Sequence, residues 1–180
     1  EAQDHSAVAL RVIARRSPSR SMTLVGDVAQ STTPAGQERW SSVFGHLGVD
    51  ESDGTIADLT IGYRVPEPIL TVANRLLAHT GVDTTESRSV RRTGEPPTWQ
   101  RTAADELAAS TAALAIATRQ RRRVSAIVAP AAWHEAIALA LAEVGLRAAD
   151  RVHELDADEL PLFDPERVKG LEFDGVIVVN

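Results

Sequence analysis

A chain of 180 residues is long enough for one α/β domain with a hydrophobic core, or for one domain and part of another. With 43% hydrophobic and 24% charged residues it has the balance of an ordinary soluble globular protein, and the absence of cysteine excludes disulfides and thiolate metal sites and fits a cytoplasmic location. No apolar run has the length of a membrane span, and a net charge of -6 argues against a module that holds nucleic acid by charge alone.

The first third of the chain predicts two helices and a short strand. The apolar Ala7–Arg16 segment has a basic end, which is typical of a helix with cations in its last turn. The run MTLVG at 22–26 has the length of a strand, and the Ser-, Thr-, Pro- and Gly-rich stretch at 27–37 predicts a loop. A short helix is expected at Trp40–Leu47. The acidic, turn-rich connector at 48–54 is the expected domain boundary.

The rest of the chain predicts strands that alternate with helices. Strands are expected at 56–61, 98–101, 124–129, 151–155 and 174–179, helices at 66–79, 103–122 and 131–144, and a polar, basic loop at 81–97. Gly145 is the expected stop of the last helix. The final strand, DGVIVV, is a β-branched run typical of a fully buried strand. The alternation indicates a parallel sheet covered on both faces, with ligands at the carboxyl ends of its strands.

Two polar clusters directly follow predicted strands. In the first, GDVAQS at 26–31, Asp27 can cap the loop backbone, and the amide of Gln30 offers the donor and acceptor that sensing a phosphate or a water requires. An Asx-turn in an ordinary loop is the alternative. In the second, the ring of Tyr63 can stack on a base and the fork of Arg64 can bind phosphate oxygens. The alternative is an exposed pair with no ligand.

A third cluster, VKGLEFD at 168–174, precedes the last predicted strand. It places the cation Lys169, the flexible Gly170 and the carboxylates of Glu172 and Asp174 within one short segment. A solvated turn before a strand is the alternative. This string is more specific than the other two because it combines several functional groups in a fixed order.

Together these strings resemble motifs of the UvrD/Rep-like superfamily 1 helicases. VGDVAQS is similar to motif III, TIGYRVPEPILTVAN to motif IV and VKGLEFDGVIVV to motif V, in the family's order. The opening EAQD is similar to the Walker B motif Asp-Glu-Ala-Gln-Asp without its first Asp. The resemblance implies a RecA-like, three-layer α/β fold of the P-loop NTPase class with a mainly parallel sheet. It also implies a remnant of a first motor domain at 1–50 and a second motor domain at 55–180.

In this family ATP lies between two RecA-like domains, and the resemblance implies a role for each matching residue. Glu1 would be the general base, Gln30 would contact the γ-phosphate, and Arg64 would act as an arginine finger. The missing Asp would hold Mg²⁺. The resemblance implies nucleotide contacts for Tyr63, Arg64, Gly170 and Glu172, and nucleic-acid contacts for Trp40 and Lys169. For Trp40, a core residue at the start of a helix is an equal alternative.

The chain also departs from the family pattern. It lacks the Gly-rich phosphate loop and the final arginine-bearing motif, so we expect a piece of a longer protein that hydrolyses no ATP by itself. Asp164 and Glu166 stand where the family has Thr-x-His, and carboxylates there would repel a phosphate backbone. SMTLVGDVAQST and VKGLEFDGVIVV are closer to actinobacterial HelD-like ATPases, which act on RNA polymerase. The alternatives are therefore a DNA helicase or translocase acting on single-stranded DNA or duplex ends, an RNA polymerase recycling ATPase, and a degenerate domain kept for protein contacts.

Overall fold

The computed structural model describes residues 1–31, 33–82 and 85–180. Thr32, Asp83 and Thr84, which fall in the two predicted loops, lie outside the described residues. The chain forms two compact units, Glu1–Trp99 and Gln100–Asn180. This division falls later than the expected boundary at 48–54, and the assignment of 1–50 and 55–180 to two motor domains stays a prediction. Across the described ranges, no helix combines the length and apolarity that crossing a membrane requires.

The two predicted helices of the first third are confirmed at both ends. Helix α1 spans Ala7–Arg16 and begins where the Ser6 hydroxyl accepts a hydrogen bond from Ala9 N. Helix α2 spans Trp40–Leu47 and ends at Gly48, whose φ of 67° is the left-handed conformation that suits glycine at a helix end. Short 3-10 segments lie at Ala2–Asp4, Val28–Gln30 and Glu51–Asp53.

The predicted strand at 22–26 is not formed. Its side chains Met22 and Leu24 contact a core made of Leu10, Val43 and Leu47. Its backbone, however, has no neighbouring strand with which to build a ladder in the described chain. It is linked to the amino-terminal segment by a hydrogen bond from Ala2 N to Val25 O, 2.9 Å.

The second part of the first unit is a small β-α-β arrangement. Strands β1 (Ile61–Gly62) and β2 (Arg88–Ser89) are parallel, and helix α3 (Glu67–Leu77) lies between them in sequence. Of the predicted strand at 56–61, only Ile61 lies in β1. Strand β2 falls inside the predicted loop at 81–97. Helix α3 has no buried residue, so this part of the chain has few apolar contacts that could stabilise a longer pair of strands.

The second unit has two helices and a parallel sheet. Its elements are α4 (Leu107–Arg121), β3 (Ser125–Val128), α5 (His134–Glu143), β4 (Arg147–Ala149), β5 (Glu159–Phe163) and β6 (Gly175–Val178), with 3-10 segments at Ala131–Trp133 and Pro165–Val168. The strand order is β4-β5-β3-β6, and every pairing is parallel. This confirms the predicted α/β class with a mainly parallel sheet. The arrangement is consistent with a RecA-like domain, although it is not specific to one.

The core of the second unit joins both helices to one face of the sheet. It contains apolar residues of both helices, alternate positions along the two central strands and their ends, and one residue directly after β6: Ala112, Ala115, Ile127, Ala129, Ile137, Ala140, Leu141, Leu160, Leu162 and Val179. Helix α5 ends before Gly145, as predicted, with φ of 78° at that glycine.

Three predicted strands of this region need correction. The segment 98–101 contains no strand, and the indole of Trp99 is 78% exposed. The segment 151–155 is a turn between β4 and β5, two strands that the sequence does not predict. Strand β6 is formed, but it is an edge strand and not a fully buried one, since Val178 is 73% exposed. Its apolar composition reflects one face packed on the core.

Candidate functional site

Four residues near the amino terminus form a continuous chain of hydrogen bonds. Gln3 Nε2 donates to Glu1 Oε2 at 3.0 Å, and Gln3 Oε1 accepts from Asp27 N at 3.2 Å. The carboxylate of Asp27 then accepts from Gln30 Nε2 at 2.6 Å and, through its other oxygen, from Ala29 N at 3.0 Å. The structure therefore joins Glu1 and Gln30, two predicted site residues that are far apart in sequence.

The local sequence explains this arrangement. Asp27 caps the 3-10 turn Val28–Gln30, which brings Gln30 back over the carboxylate three residues earlier. A Cβ on Gly26 would lie 2.4 Å from Gln3 Oε1, so any larger residue at 26 would force the Gln3 amide to move. The Asx-turn that the sequence offered as the ordinary alternative is present, and it also holds the Gln30 side chain in place.

A second glutamine ties the far end of the loop to the same segment. Gln37 N donates to Gln3 O at 2.7 Å, and Gln37 Nε2 donates to His5 O at 3.1 Å and to Ala35 O at 3.4 Å. Both Gln3 and Gln37 are buried. Sequence reasoning gives neither residue a role. A polar residue in a short segment carries no signal of its burial, although Gln3 does lie within the EAQD string.

Tyr63 and Arg64 lie side by side on an exposed turn after β1. Two hydrogen bonds hold the backbone of this turn. Ser89 Oγ donates to Val65 O at 2.6 Å, and the Arg91 guanidinium donates to Arg64 O. The ring of Tyr63 is 71% exposed, and Arg64 is exposed as well. An aromatic face and a guanidinium are thus presented to solvent from a braced backbone, at the carboxyl end of a parallel strand.

The third cluster forms a tight turn before β6. Gly170 has φ of 79°, and Leu171 N donates to Val168 O at 3.0 Å. Lys169 is half-buried and Glu172 is exposed. Since Gly175 pairs with Ser125 at the start of β3, this turn lies at the amino edge of the sheet. It does not lie at the carboxyl edge, where ligands of parallel sheets usually bind.

Asp174 has a structural part in that turn. Its Oδ2 accepts from Val124 N at 3.0 Å, and its own N–H donates to Val124 O at 2.7 Å. These two bonds fix the start of β6 beside the start of β3. Both carboxylates of the predicted cluster are exposed, and the one that anchors the backbone is Asp174.

The carboxyl edge of the second unit carries a histidine and acidic groups. His134 Nε2 lies 2.9 Å from Ala129 O and 3.8 Å from Asp164 Oδ1. Because a carbonyl only accepts, Nε2 carries the hydrogen of that bond. An open cavity of about 310 Å³ lies beside His134 and Asp150. Asp164 is half-exposed and Glu166 is exposed, so the two acids that replace Thr-x-His face solvent at or near this edge.

Two other charged or aromatic features have structural explanations. Trp40 is half-buried against the core of Leu10, Val43 and Leu47, which is the contact expected of the core alternative. Its contact with nucleic acid stays a prediction. In the second unit Arg147 binds the carboxylates of Asp158 at 2.6 Å and Asp156 at 2.9 Å. The hydrogen bond from Arg147 holds the pKa of Asp158 below its usual range.

Within the described ranges, no group of three or more His, Asp or Glu side chains could hold a metal ion. No protein-family model matches the sequence, and a search of curated proteins finds no match. Three features of the described residues contain the predicted functional groups: the Glu1–Gln30 chain of hydrogen bonds, the Tyr63–Arg64 turn and the turn that contains Lys169, Gly170 and Glu172.

Proposed function

We propose that this chain is part of an ATP-dependent DNA helicase or translocase of the UvrD-like superfamily 1 family, a cytoplasmic motor that couples ATP hydrolysis to movement on nucleic acid. The observation that carries the proposal is the chain of hydrogen bonds from Glu1 to Gln30. The two residues come from separate motifs of the resemblance, and such a motor needs both side chains near the same phosphate.

The chemistry of these residues suits phosphoryl transfer. That reaction requires a base that orients water and donors that stabilise charge on the transferred group. The exposed carboxylate of Glu1 can accept the proton of an attacking water. The amide of Gln30 can donate to a phosphate oxygen, and the guanidinium of Arg64 can neutralise the charge that develops.

The residues present fit part of a nucleotide site. Tyr63 offers an exposed ring for the adenine. The resemblance implies a nucleotide contact for Gly170 and Glu172 as well. Bound ATP supplies the phosphoryl group. The sequence contains no Gly-rich phosphate loop, and in the described part of the chain no acidic cluster fits Mg²⁺. The nucleotide and its Mg²⁺ would therefore need further residues, so the 180 residues alone should give no ATP turnover above background.

The test is the ATPase rate of the full-length gene product that contains this chain. Glu1→Gln keeps the size of the side chain and its contact with Gln3 but removes the base, so kcat should fall about 10²- to 10⁴-fold. Glu51→Gln is the matched control, because Glu51 is an exposed residue of the short Glu51–Asp53 segment. Equal rates for wild type and Glu1→Gln would exclude the proposed role of Glu1 and with it the proposal.

A second function is favoured by one observation. Asp164 and Glu166 place acidic side chains near the carboxyl edge of the sheet, where they would repel a phosphate backbone. This fits a HelD-like ATPase whose partner is RNA polymerase. Strong stimulation of ATP turnover by single-stranded DNA would support the helicase or translocase. Tight binding to RNA polymerase with little response to DNA would support the second function.

A further inference from the structure

The side-chain nitrogen, the side-chain oxygen and the main-chain carbonyl of Gln3 each form a hydrogen bond with a different residue. Its amide nitrogen donates to Glu1, its amide oxygen accepts from Asp27 N, and its main-chain carbonyl accepts from Gln37 N. Its side chain is 1% exposed. A buried glutamine with these partners is fixed in direction, because exchanging its oxygen and nitrogen would break both side-chain bonds.

The loop that carries Gln30 is held to the amino-terminal segment at both ends. Its front end is tied by Asp27 N to the side chain of Gln3. Its back end is tied by Gln37 to the carbonyls of Gln3 and His5. Gln3 takes part in both ties, and it also contacts Glu1 directly. Gln3 thus links the segment that carries Glu1 to both ends of the loop that carries Gln30.

We propose that Gln3 is a positioning residue that holds Gln30 and Glu1 in register, with Gln37 as its anchor. The proposal rests on the proposed function, since it concerns the same site. Gln3 touches no reacting atom and acts through its two neighbours. A displacement of about 1 Å at a phosphoryl-transfer site can cost roughly a hundredfold in rate, so loss of this register should appear in kcat more than in KM.

The first experiment measures the contact itself. In the 180-residue chain, Gln3→Leu removes the acceptor of the Asp27 amide while keeping a side chain of similar size. Hydrogen exchange of that amide, followed by NMR, should become about fivefold faster. Gln100→Leu is the control, because Gln100 is exposed and its amide donates to Ser110 at 2.8 Å in the other unit. An unchanged exchange rate at Asp27 in Gln3→Leu would overturn the proposal.

The second experiment measures ATP turnover of the full-length gene product. Gln3→Glu is isosteric, but it places an oxygen against Glu1 Oε2, where the amide nitrogen now donates at 3.0 Å. When ionised, the new carboxyl repels Glu1, and when protonated it can donate as the amide does. We expect kcat about tenfold to a hundredfold below wild type at pH 8, with KM nearly unchanged. The ratio of variant to wild-type kcat should rise as the pH is lowered to about 6.

Because a buried carboxyl can also destabilise the fold as it ionises, the folded fraction is measured by circular dichroism at each pH and kcat is expressed per folded protein. A role in folding alone would leave this corrected kcat equal to that of the wild type at every pH, and that result would overturn the proposal. Gln100→Glu should follow the wild-type profile throughout. If Glu1→Gln abolishes turnover while Gln3→Glu and Gln3→Leu retain wild-type kcat, the positioning role is wrong and the proposed function stands. If Glu1→Gln leaves turnover unchanged, the proposed function fails, and the positioning role fails with it.

Discussion

Replacing Leu141 with alanine tests whether the second unit has the core described above. Leu141 lies in α5 and is fully buried in the cluster that joins both helices to the sheet. The substitution removes three carbon atoms, each worth about 0.8 kcal/mol of burial, or about 2.4 kcal/mol together. The same cluster contains Ala112, Ala115 and Ala140, whose short side chains cannot move into the space. A cavity term of about 1 kcal/mol therefore remains, and the expected loss of unfolding free energy is about 3.5 kcal/mol.

The matched control is Leu139→Ala, two positions away on the same helix, where the leucine is 63% exposed. Its effect should stay within about 0.5 kcal/mol. Trp133 packs against the same core, so its fluorescence in a Trp40→Phe, Trp99→Phe background reports unfolding of this unit. In urea the midpoint of Leu141→Ala should fall by roughly 1–3 M. Equal effects of the two leucine substitutions would refute the assignment of this core.

Two contacts of the second unit give further testable outcomes. Arg147→Met removes the hydrogen bond that lowers the pKa of Asp158, so an NMR titration should show this pKa rising toward its ordinary value of 3.8. The free energy of unfolding that the Arg147–Asp158 pair contributes is fully present above pH 3.8, and it is lost as the pH falls through the lower pKa of Asp158 in the folded state. An unchanged pKa of Asp158 in Arg147→Met would contradict the contact. Asp174→Ala removes the acceptor of Val124 N and should lower the unfolding free energy of the unit by about 1 kcal/mol. An unchanged urea midpoint for Asp174→Ala would show that this bond contributes nothing to the fold.

Strong local signals made several elements of the fold predictable. The apolar pattern and basic end of Ala7–Arg16, and the turn-rich connector after Trp40–Leu47, predicted two helices whose limits are confirmed. The glycine at 145 marked the end of α5 for the same reason. These signals act within a few residues, so they do not depend on the rest of the structure.

The strands were harder to predict because a strand exists only with a partner. The segment 22–26 is apolar, as β3 is, but no strand lies beside it in the described chain, and it forms neither helix nor strand. Conversely, β4 (Arg147–Ala149) and β5 (Glu159–Phe163) flank the predicted strand at 151–155. Their composition is mixed, with Arg147, Glu159 and a proline, so only pairing in the sheet identifies them.

Of the candidate site, too, only a part could be predicted from the sequence. For the strings around Gln30 and Gly170 the alternative to a binding site was a turn, and both contain a turn in the structure. Tyr63 and Arg64 are exposed, as in the alternative given for their string. The hydrogen bonds that join Glu1 to Gln30 could not be read from the strings, because they depend on the side-chain direction of Gln3, a residue without a pattern. The buried anchor Gln37 was missed for the same reason.

The burial of Gln3 and Gln37 itself argues for a role in positioning. A buried hydrogen-bonded amide adds little net stability, since its bonds replace bonds to water, and well-packed apolar side chains can serve as well or better. Stability alone therefore gives weak reason to place two amides beneath one loop in a small unit whose apolar core is built around Leu10, Val43 and Leu47. An amide differs from an apolar group in having direction, since its oxygen must meet a donor and its nitrogen an acceptor. At Gln3 these two directions lead to Asp27 and to Glu1. Under the proposed function, the separation of these two residues would decide whether Gln30 and a water held by Glu1 can meet the same phosphate.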